Sequence, residues 1–580
     1  KLTIEDGIKE IKCSAFEKCT AIKGNLVIPD SVENIEAFAF NRCSSFDGTL
    51  QLSNSLKNIG KTAFQYCSGV KGNLVIPDKV EVIGQYAFNK CTGFNGTLSL
   101  SSNLKSIGDV AFQYCSGFKG DLVIPDSVEN IGQFAFNNCK GFSGLKLSSN
   151  LVSIGRTAFQ SCTGLKGNLV IPDGIKNIEN NTFFGCTGLN GNLVIPEGIE
   201  KIGDKAFYKC SGLNGTLTLP STLKDIGSFA FGDCSNLKGN LNLPDGLKTI
   251  ASGAFYQCTS LTGNIIIPEG VEEIGEHTFN TCSSFDGILS LPSTLKSIGV
   301  AAFQDCSKLR GELILPEGLE YIGSFAFSKC TSFENTTIKI PASLSKMGED
   351  YELNGNNVGI GSHFFYNFGA NVRKFEAFEV EEGNNNFVAI DGVLYTKDLK
   401  RLVCYPRNKK DTTYEIQEGV ELLDQMSIAS NMTLKTLVIP DSLIIERKTY
   451  PGFTWENDQP LIFSLYNYNA IQNIETKETN PNYKSVDGVL YTKDLKELVY
   501  ISSGRTKEVI IPDGVETIRE RSIYWSQVAR SVSKIYIPAS VINISDSALK
   551  GVNNGFIKKI EISEDNPSFT LDSNGKLVRK

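Results

Sequence analysis

Histidine is almost missing from this chain: there are two in 580 residues, beside two tryptophans and three methionines. His277 in IGEHTFNTC and His363 in IGSHFFYNF fall at one variable position of a repeated segment. Neither has the singular setting that a Ser/His/Asp or Cys/His centre demands. Paired carboxylates can work without histidine, but the acidic residues here follow the repeat and form no unique cluster. The chain is therefore expected to be no enzyme and to need no cofactor. Long apolar runs are missing too. None approaches the ~18 residues of a membrane helix, so membrane insertion by this chain is not expected. A signal peptide is also absent, and Lys1 opens inside a repeat, as in a chain trimmed at its N-terminus. There is no excess of basic charge. The net charge is −7 with 21% charged residues, which argues against a nucleic-acid partner. No C-x-x-C pair suggests zinc, and no metal site is expected.

What the chain has is repetition. Cysteines stand at 19, 43, 67, 91, 115 and 139, and then at 162 to 330, in steps of 24 residues with one step of 23. A phenylalanine precedes each by three positions, from Phe16 to Phe327. A full unit, Gly24 to Asp47, reads GNLVIPDSVENIEAFAFNRCSSFD. Leu26 and Ile28 alternate with Val27, which is strand periodicity. Pro29 cannot donate to a ladder and ends that strand. Val32, Ile35, Ala39, Phe40 and Cys43 then suit a tight bend and a short helical turn, not a second strand. Ser/Thr-Gly pairs and Gly24 supply the return loop. One such unit buries too little to offset the ordering of its backbone. The units are expected to stack, each covering the next.

LVIPDSVENIGQFAFNNC at 122–139 and ILPEGLEYIGSFAFSKC at 314–330 resemble the BspA-type, or Treponema-type, leucine-rich repeat. The resemblance covers residues 1–346 almost unbroken. It implies a repeat solenoid with a parallel β-sheet on the concave face and short helical turns and loops on the convex face. It also implies a secreted or cell-surface protein that binds protein or glycan ligands, with no catalytic motif to carry over.

Residues 347–580 read as irregular repeats continuing the same solenoid. VAIDGVLYTKDLKRLV at 388–403 returns as KSVDGVLYTKDLKELV at 484–499, four unit lengths later. Each reads as a hairpin with strands VLY and LV around Lys-Asp. Asn480-Pro481 and Asn566-Pro567 mark equivalent entries, so a third, truncated copy is expected at the end.

Several residue sets invite a function. The stacked cysteines would lie within disulfide reach, yet all point one way and have no preferred partner. As buried small hydrophobes with a weak S–H donor they need no chemistry. Cys13 and Cys404 stand outside the ladder. The outward strand centres are Val27, Gln51, Val75, Ser99, Val123, Lys146, Val170, Val194, Thr218 and Asn242. Beside them runs a column of Asn and Thr, including Asn25, Thr49, Asn73 and Thr97. This is either a polar–aliphatic platform for a long ligand or plain β-propensity with side-chain ladders. Charges alternate from Glu33, Lys57, Glu81 and Lys105 onward, which would hold register and points to a duplicated 48-residue module. Tyr450, Phe453, Trp455, Tyr466 and Tyr468 break the pattern. They form either an aromatic recognition loop or the filling of an uneven coil. The insertion GEDYELNGNNVG at 348–359 lacks EF-hand spacing. N-x-S/T sequons occur at Asn95, Asn180, Asn214, Asn335, Asn431 and Asn543.

The expected function is a non-catalytic recognition or adhesion scaffold, monomeric, with an extracellular protein or glycan as partner. The alternatives are a structural spacer of a larger surface protein and, remotely, a polysaccharide-acting enzyme.

Overall fold

The computed structural model describes residues 1–348, 350–353, 356–359, 375–424, 427–428, 431–443, 470–502, 504–520, 522–523 and 532–580. They divide into two units, Lys1–Arg310 and Gly311–Lys580. Each is a parallel-strand solenoid with its own core.

In the first unit most coils carry a short strand at the LVI segment, while the equivalent segments 169–171 and 241–243 carry none. Leu26 and Ile28 are each 1% exposed and Val27 between them is 49% exposed, as the pleat requires. Leu26 pairs in parallel with Leu50 of the next coil, and Val27 with Gln51. The strand pairing then stops and restarts at Leu74 with Leu98, Leu122 with Leu145, Leu193 with Leu217 and Ile265 with Leu289. As far as Leu145 the coils are thus coupled two by two along this flank, in step with the 48-residue module; beyond it the spacing changes, and a bridge joins Val170 to Val194.

A second strand follows where the sequence suggested only a bend. Asn34–Ile35 and its equivalents form a seven-stranded parallel sheet from Glu10–Ile11 to Ser153–Ile154. The ladder runs again from Asn177–Ile178 to Ser297–Ile298. Each isoleucine points inward and its neighbour outward. The glycine after the isoleucine allows the close stacking. A Cβ on Gly60 would lie 2.6 Å from the Glu36 backbone, and one on Gly84 2.6 Å from that of Gly60.

The expected helical turn is replaced by a run of tight turns. The N–H groups of Ala39, Asn41 and Cys43 donate three residues back within the coil. Those of Phe38, Phe40 and Arg42 donate across to Lys61, Ala63 and Gln65 at 3.0, 2.8 and 2.7 Å. With alternate donors spent on the next coil, the i→i−4 pattern of an α-helix cannot form. The geometry forces left-handed backbone on ordinary residues: φ is 61° at Phe38, and 62° at Arg42, Thr62 and Val110. Each costs about 1–2 kcal/mol, which the inter-coil hydrogen bonds offset.

Inside, the phenylalanines form one column. Phe40, Phe64, Phe88 and Phe112 stack with centroids 5.2–5.3 Å apart and planes within 6°. Offset aromatic pairs contribute about 0.5–1.5 kcal/mol each beyond burial, so the column ties every coil to both neighbours.

The second unit begins with similar coils and then widens. Thr337–Ile340 pairs in parallel with Ala377–Val380. Phe387–Ile390, Val393–Thr396 and Arg401–Cys404 form an antiparallel meander, which returns to parallel pairing at Leu422–Leu423. Tyr483–Val486, Val489–Thr492 and Glu497–Tyr500 repeat it. The expected VLY–LV hairpin is there, with one more strand before it. Asp391 and Gly392 both have positive φ (49° and 72°), as a type I′ turn requires. The truncated third copy pairs Phe569–Leu571 with Leu577–Arg579. An α-helix, Asp546–Asn553, is capped by the Ser545 hydroxyl, which accepts from the Ala548 N–H.

Candidate binding surface

The ten strand centres singled out from the sequence, Val27 to Asn242, are all exposed. The aliphatic ones are strongly so: Val75 is 58%, Val170 73% and Val194 51% exposed. In three successive modules an aliphatic side chain is set in register beside a polar one: Val27 beside Gln51, Val75 beside Ser99, Val123 beside Lys146. The Asn column next to them is engaged in holding the coils. The Oδ1 atoms of Asn25, Asn73 and Asn192 accept from the N–H groups of Thr49, Thr97 and Thr216 at 2.9–3.0 Å. Asp30 and Glu197 do the same for Asn54 and Ser221.

The charge column pairs within modules. Lys57 meets Glu33, Lys224 meets Glu200 and Lys296 meets Glu272, each at 2.7 Å. The lysines draw these carboxyls below their usual range. The three lysines are more than half exposed and the carboxylates open to solvent, so the pairs add little stability and serve mainly to set which coil lies on which.

The thiols face inward. Cys43 donates to the Phe16 carbonyl of the preceding coil at 2.9 Å, Cys67 to Phe40 at 3.1 Å and Cys91 to Phe64 at 3.0 Å. Burial pushes Cys186, Cys234 and Cys282 up to about 12. These thiols stay protonated and are poor nucleophiles. Cys13 is an exposed free thiol and Cys404 a buried one.

His277 is partly exposed, with Nδ1 3.1 Å from the Asn280 amide nitrogen. It lies at the edge of a group of rings the sequence reading did not assemble: Phe184, Tyr208, Phe229 and Tyr256, linked by centroid distances of 5.4–5.8 Å. Their columns look merely variable in sequence, and only the stacking of coils brings them together. His363 and the aromatic set Tyr450, Phe453, Trp455, Tyr466 and Tyr468 lie outside the described residues. Within the 348–359 insertion, Asp350–Leu353 pairs antiparallel with Asn356–Gly359.

In the second unit an open cavity of about 300 Å³ is lined by Lys346, Asn386, Lys397, Asp398 and Arg401 among others. Its buried Asp424 receives Arg401 through Nε at 3.0 Å and Nη2 at 2.8 Å. The next meander carries the same bridge with its charges reversed, Glu497 to Arg519. The bridge is therefore part of the coil. Among the described residues, no group of three or more His, Cys, Asp or Glu is placed to hold a metal ion. No helix there is long and apolar enough to cross a membrane. Of the sequon asparagines, Asn335 is 5% and Asn431 1% exposed, and both side chains are committed to backbone groups.

The model of the BspA-type leucine-rich-repeat region matches in six copies, over residues 1–119, 71–190, 118–238, 190–310, 287–371 and 493–572. The chain belongs to the BspA-type leucine-rich-repeat family. Among solved structures, this BspA-type chain is similar to a leucine-rich-repeat protein from Bacteroides ovatus. Identity is 29% and the TM-score 0.48, over 60% of this chain and 88% of that one. A leucine-rich cell surface protein from Faecalibacterium prausnitzii aligns at 21% identity and a TM-score of 0.33, over 75% and 83% of the two chains. The pneumococcal vaccine antigen PcpA aligns at 17% and 0.31, over 64% and 92%. No curated protein matches the sequence. The matched residues contain the strand centres and the ring group, whereas the first meander lies between matched segments.

Proposed function

We propose that this BspA-type chain is a non-catalytic recognition scaffold, displayed at the cell surface or secreted, that binds an extracellular protein or glycan along its leucine-strand flank. The observation that carries the reading is the register of exposed side chains. As far as Val123 every second coil offers a solvent-facing aliphatic residue (Val27, Val75, Val123), and Val170 and Val194 follow on successive coils, all on a backbone fixed by a filled core. Aliphatic residues standing half-exposed on a rigid support lose little entropy on binding. The polar column at their side is tied down by bonds to the backbone and adds specificity without reorganising. The surface location rests on family membership.

The test is a binding screen of the immobilised chain against matrix proteins and soluble glycans, repeated with Val75→Asp and Val123→Asp. Both positions are exposed, so folding should survive, as unchanged melting will verify. A ligand whose affinity falls about tenfold or more in either variant supports the proposal. Absence of any saturable ligand would favour a spacer, and a ligand indifferent to both substitutions would move the binding surface elsewhere.

A further inference from the structure

Four consecutive coils of the first unit depart from the rest of the turn flank. Up to Gln160 one column just beneath the surface of the turn flank alternates buried Asn and partly buried Gln, with amides bonded from coil to coil. Gln65 donates to Asn89 at 2.9 Å, Asn89 to Gln113 at 3.1 Å and Gln113 to Asn137 at 3.0 Å. The amide ladder returns at Asn280, which donates to Gln304 at 3.0 Å. Between these stretches the column reads Phe184, Tyr208, Gly232 and Tyr256. The left-handed column beside it places Phe229, Gly253 and His277 at the same level.

These rings are not a continuation of the core. The buried phenylalanines lie within 3–10° of parallel. The surface rings meet at 52°, 65°, 72° and 88° and stay partly exposed. Two glycines make room for them. A Cβ on Gly232 would lie 2.9 Å from the Tyr208 ring, and one on Gly253 2.5 Å from that of Phe229. The Tyr208 and Phe229 rings thus rest on bare backbone where other coils carry a side chain. Hydrogen-bonding groups border the rings. Gln257 donates to the Tyr256 hydroxyl at 3.0 Å, Asp233 sits beside the Tyr208 hydroxyl, and His277 closes one end.

We propose that this strip, Phe184–Tyr208–Phe229–Tyr256–His277, is a binding site for a linear glycan. The exposed ring surface stacks on the apolar faces of pyranose units, while the bordering carboxylate, amide and hydroxyls, with the Lys209 ammonium that lies 5.3 Å from the Tyr208 ring centre, take sugar hydroxyls. The spacing suits a polymer: rings recur with each coil, a step comparable to the length of one sugar residue. A protein ligand fits less well, because the tyrosine rings carry hydrogen-bonding groups at their rims: Gln257 and His277 at Tyr256, Asp233 at Tyr208. This inference rests on the scaffold reading and adds to the leucine flank a separate contact on the turn flank, for one ligand class.

Cellohexaose, chitohexaose and maltohexaose are the probes, titrated into the full chain by calorimetry with ligand-observed NMR. Tyr256→Ala removes a ring. Gly232→Gln restores the amide column and lifts the Tyr208 ring without deleting any aromatic group, which guards against a trivial loss of fold. Val75→Asp reports on the leucine flank. The expected result is saturable binding of at least one hexaose that weakens about tenfold or more in both strip variants and is unchanged in Val75→Asp, with equal melting temperatures. Binding retained in the strip variants, or no binding of any hexaose, overturns the proposal. Loss in Val75→Asp alone would sink the strip while leaving the scaffold reading intact. Competition at the strip by a protein but by no glycan would also overturn it.

Discussion

At the scale of single residues, the repeating Phe and Cys are two halves of one device. Each ring packs on the ring above, and each thiol donates to the backbone carbonyl of a phenylalanine in the preceding coil. A cysteine serves here because it is small, apolar and still able to give a second hydrogen bond to a carbonyl that already accepts the N–H of the cysteine in its own coil. The cost is a group that cannot ionise while folded. With the folded thiols raised towards 12 and an unfolded thiol near its ordinary value, stability is complete below about pH 8–9 and falls as pH rises above it. The same burial predicts a labelling pattern. Treated with maleimide at neutral pH and analysed by mass spectrometry, native protein should modify Cys13 first, followed by the partly exposed Cys19. The fourteen buried thiols should react only after denaturant is added. Rapid native labelling at Cys91 or Cys115 would contradict the burial. The columns themselves were plain in the sequence, since periodicity alone places them. The ring strip was not, because adjacency across coils is invisible when each position is read along the chain.

At the scale of elements, what escaped the sequence were the pieces too short to show a period. A two-residue strand such as Asn34–Ile35 has no alternation to detect. Left-handed backbone at Thr62 or Val110 carries none of the glycine that normally announces it. The wider elements were legible because turn chemistry marks them. Asp-Gly pairs gave the meanders, and the asparagines near 480 and 566 gave their entries. The structure explains the latter. Asn566 donates through Nδ2 to the carbonyls of Pro538 and Val541 at 2.9 and 3.0 Å, and its Oδ1 accepts from Ser568 and Phe569 at 3.0 and 2.8 Å. Asn384 makes the same set with Pro341, Leu344, Asn386 and Phe387. One fully buried amide thus pins each meander to the coil before it. Asn566→Ala would strand several buried backbone groups and should cost about 2–4 kcal/mol, seen as a lower urea midpoint and faster amide exchange at Ser568 and Phe569. Exchange unchanged at those two amides would show that the side chain is not what holds the turn.

At the scale of the molecule, stability in a stacked array is a sum over coils and their interfaces, and in the first unit the interfaces are of two kinds. Within a module, Asn25 binds the N–H of Thr49, Asp30 that of Asn54, and Glu33 pairs with Lys57. Between modules those bonds are replaced by others. This asymmetry makes an unusual prediction about length. Deleting residues 49–96 removes two coils but lays residues 25–48 on residues 97–120. Asn25 then meets Thr97, Asp30 meets Ser102 and Glu33 meets Lys105, partners of the kind they already have. Deleting only residues 49–72 removes one coil but stacks two first members of modules. Glu33 then faces Glu81 and Asp30 faces Asp78, which sets like charges on adjacent coils. The mismatch should destabilise this variant through like-charge repulsion. The longer variant should therefore melt at the lower temperature, with the gap narrowing as salt screens the carboxylates. Calorimetry on the two deletions decides it. If the 24-residue deletion is as stable as the 48-residue one, the coils are interchangeable and the module is a record of duplication without mechanical consequence. If it is less stable, the pairing of coils is what fixes where each exposed side chain stands along the array.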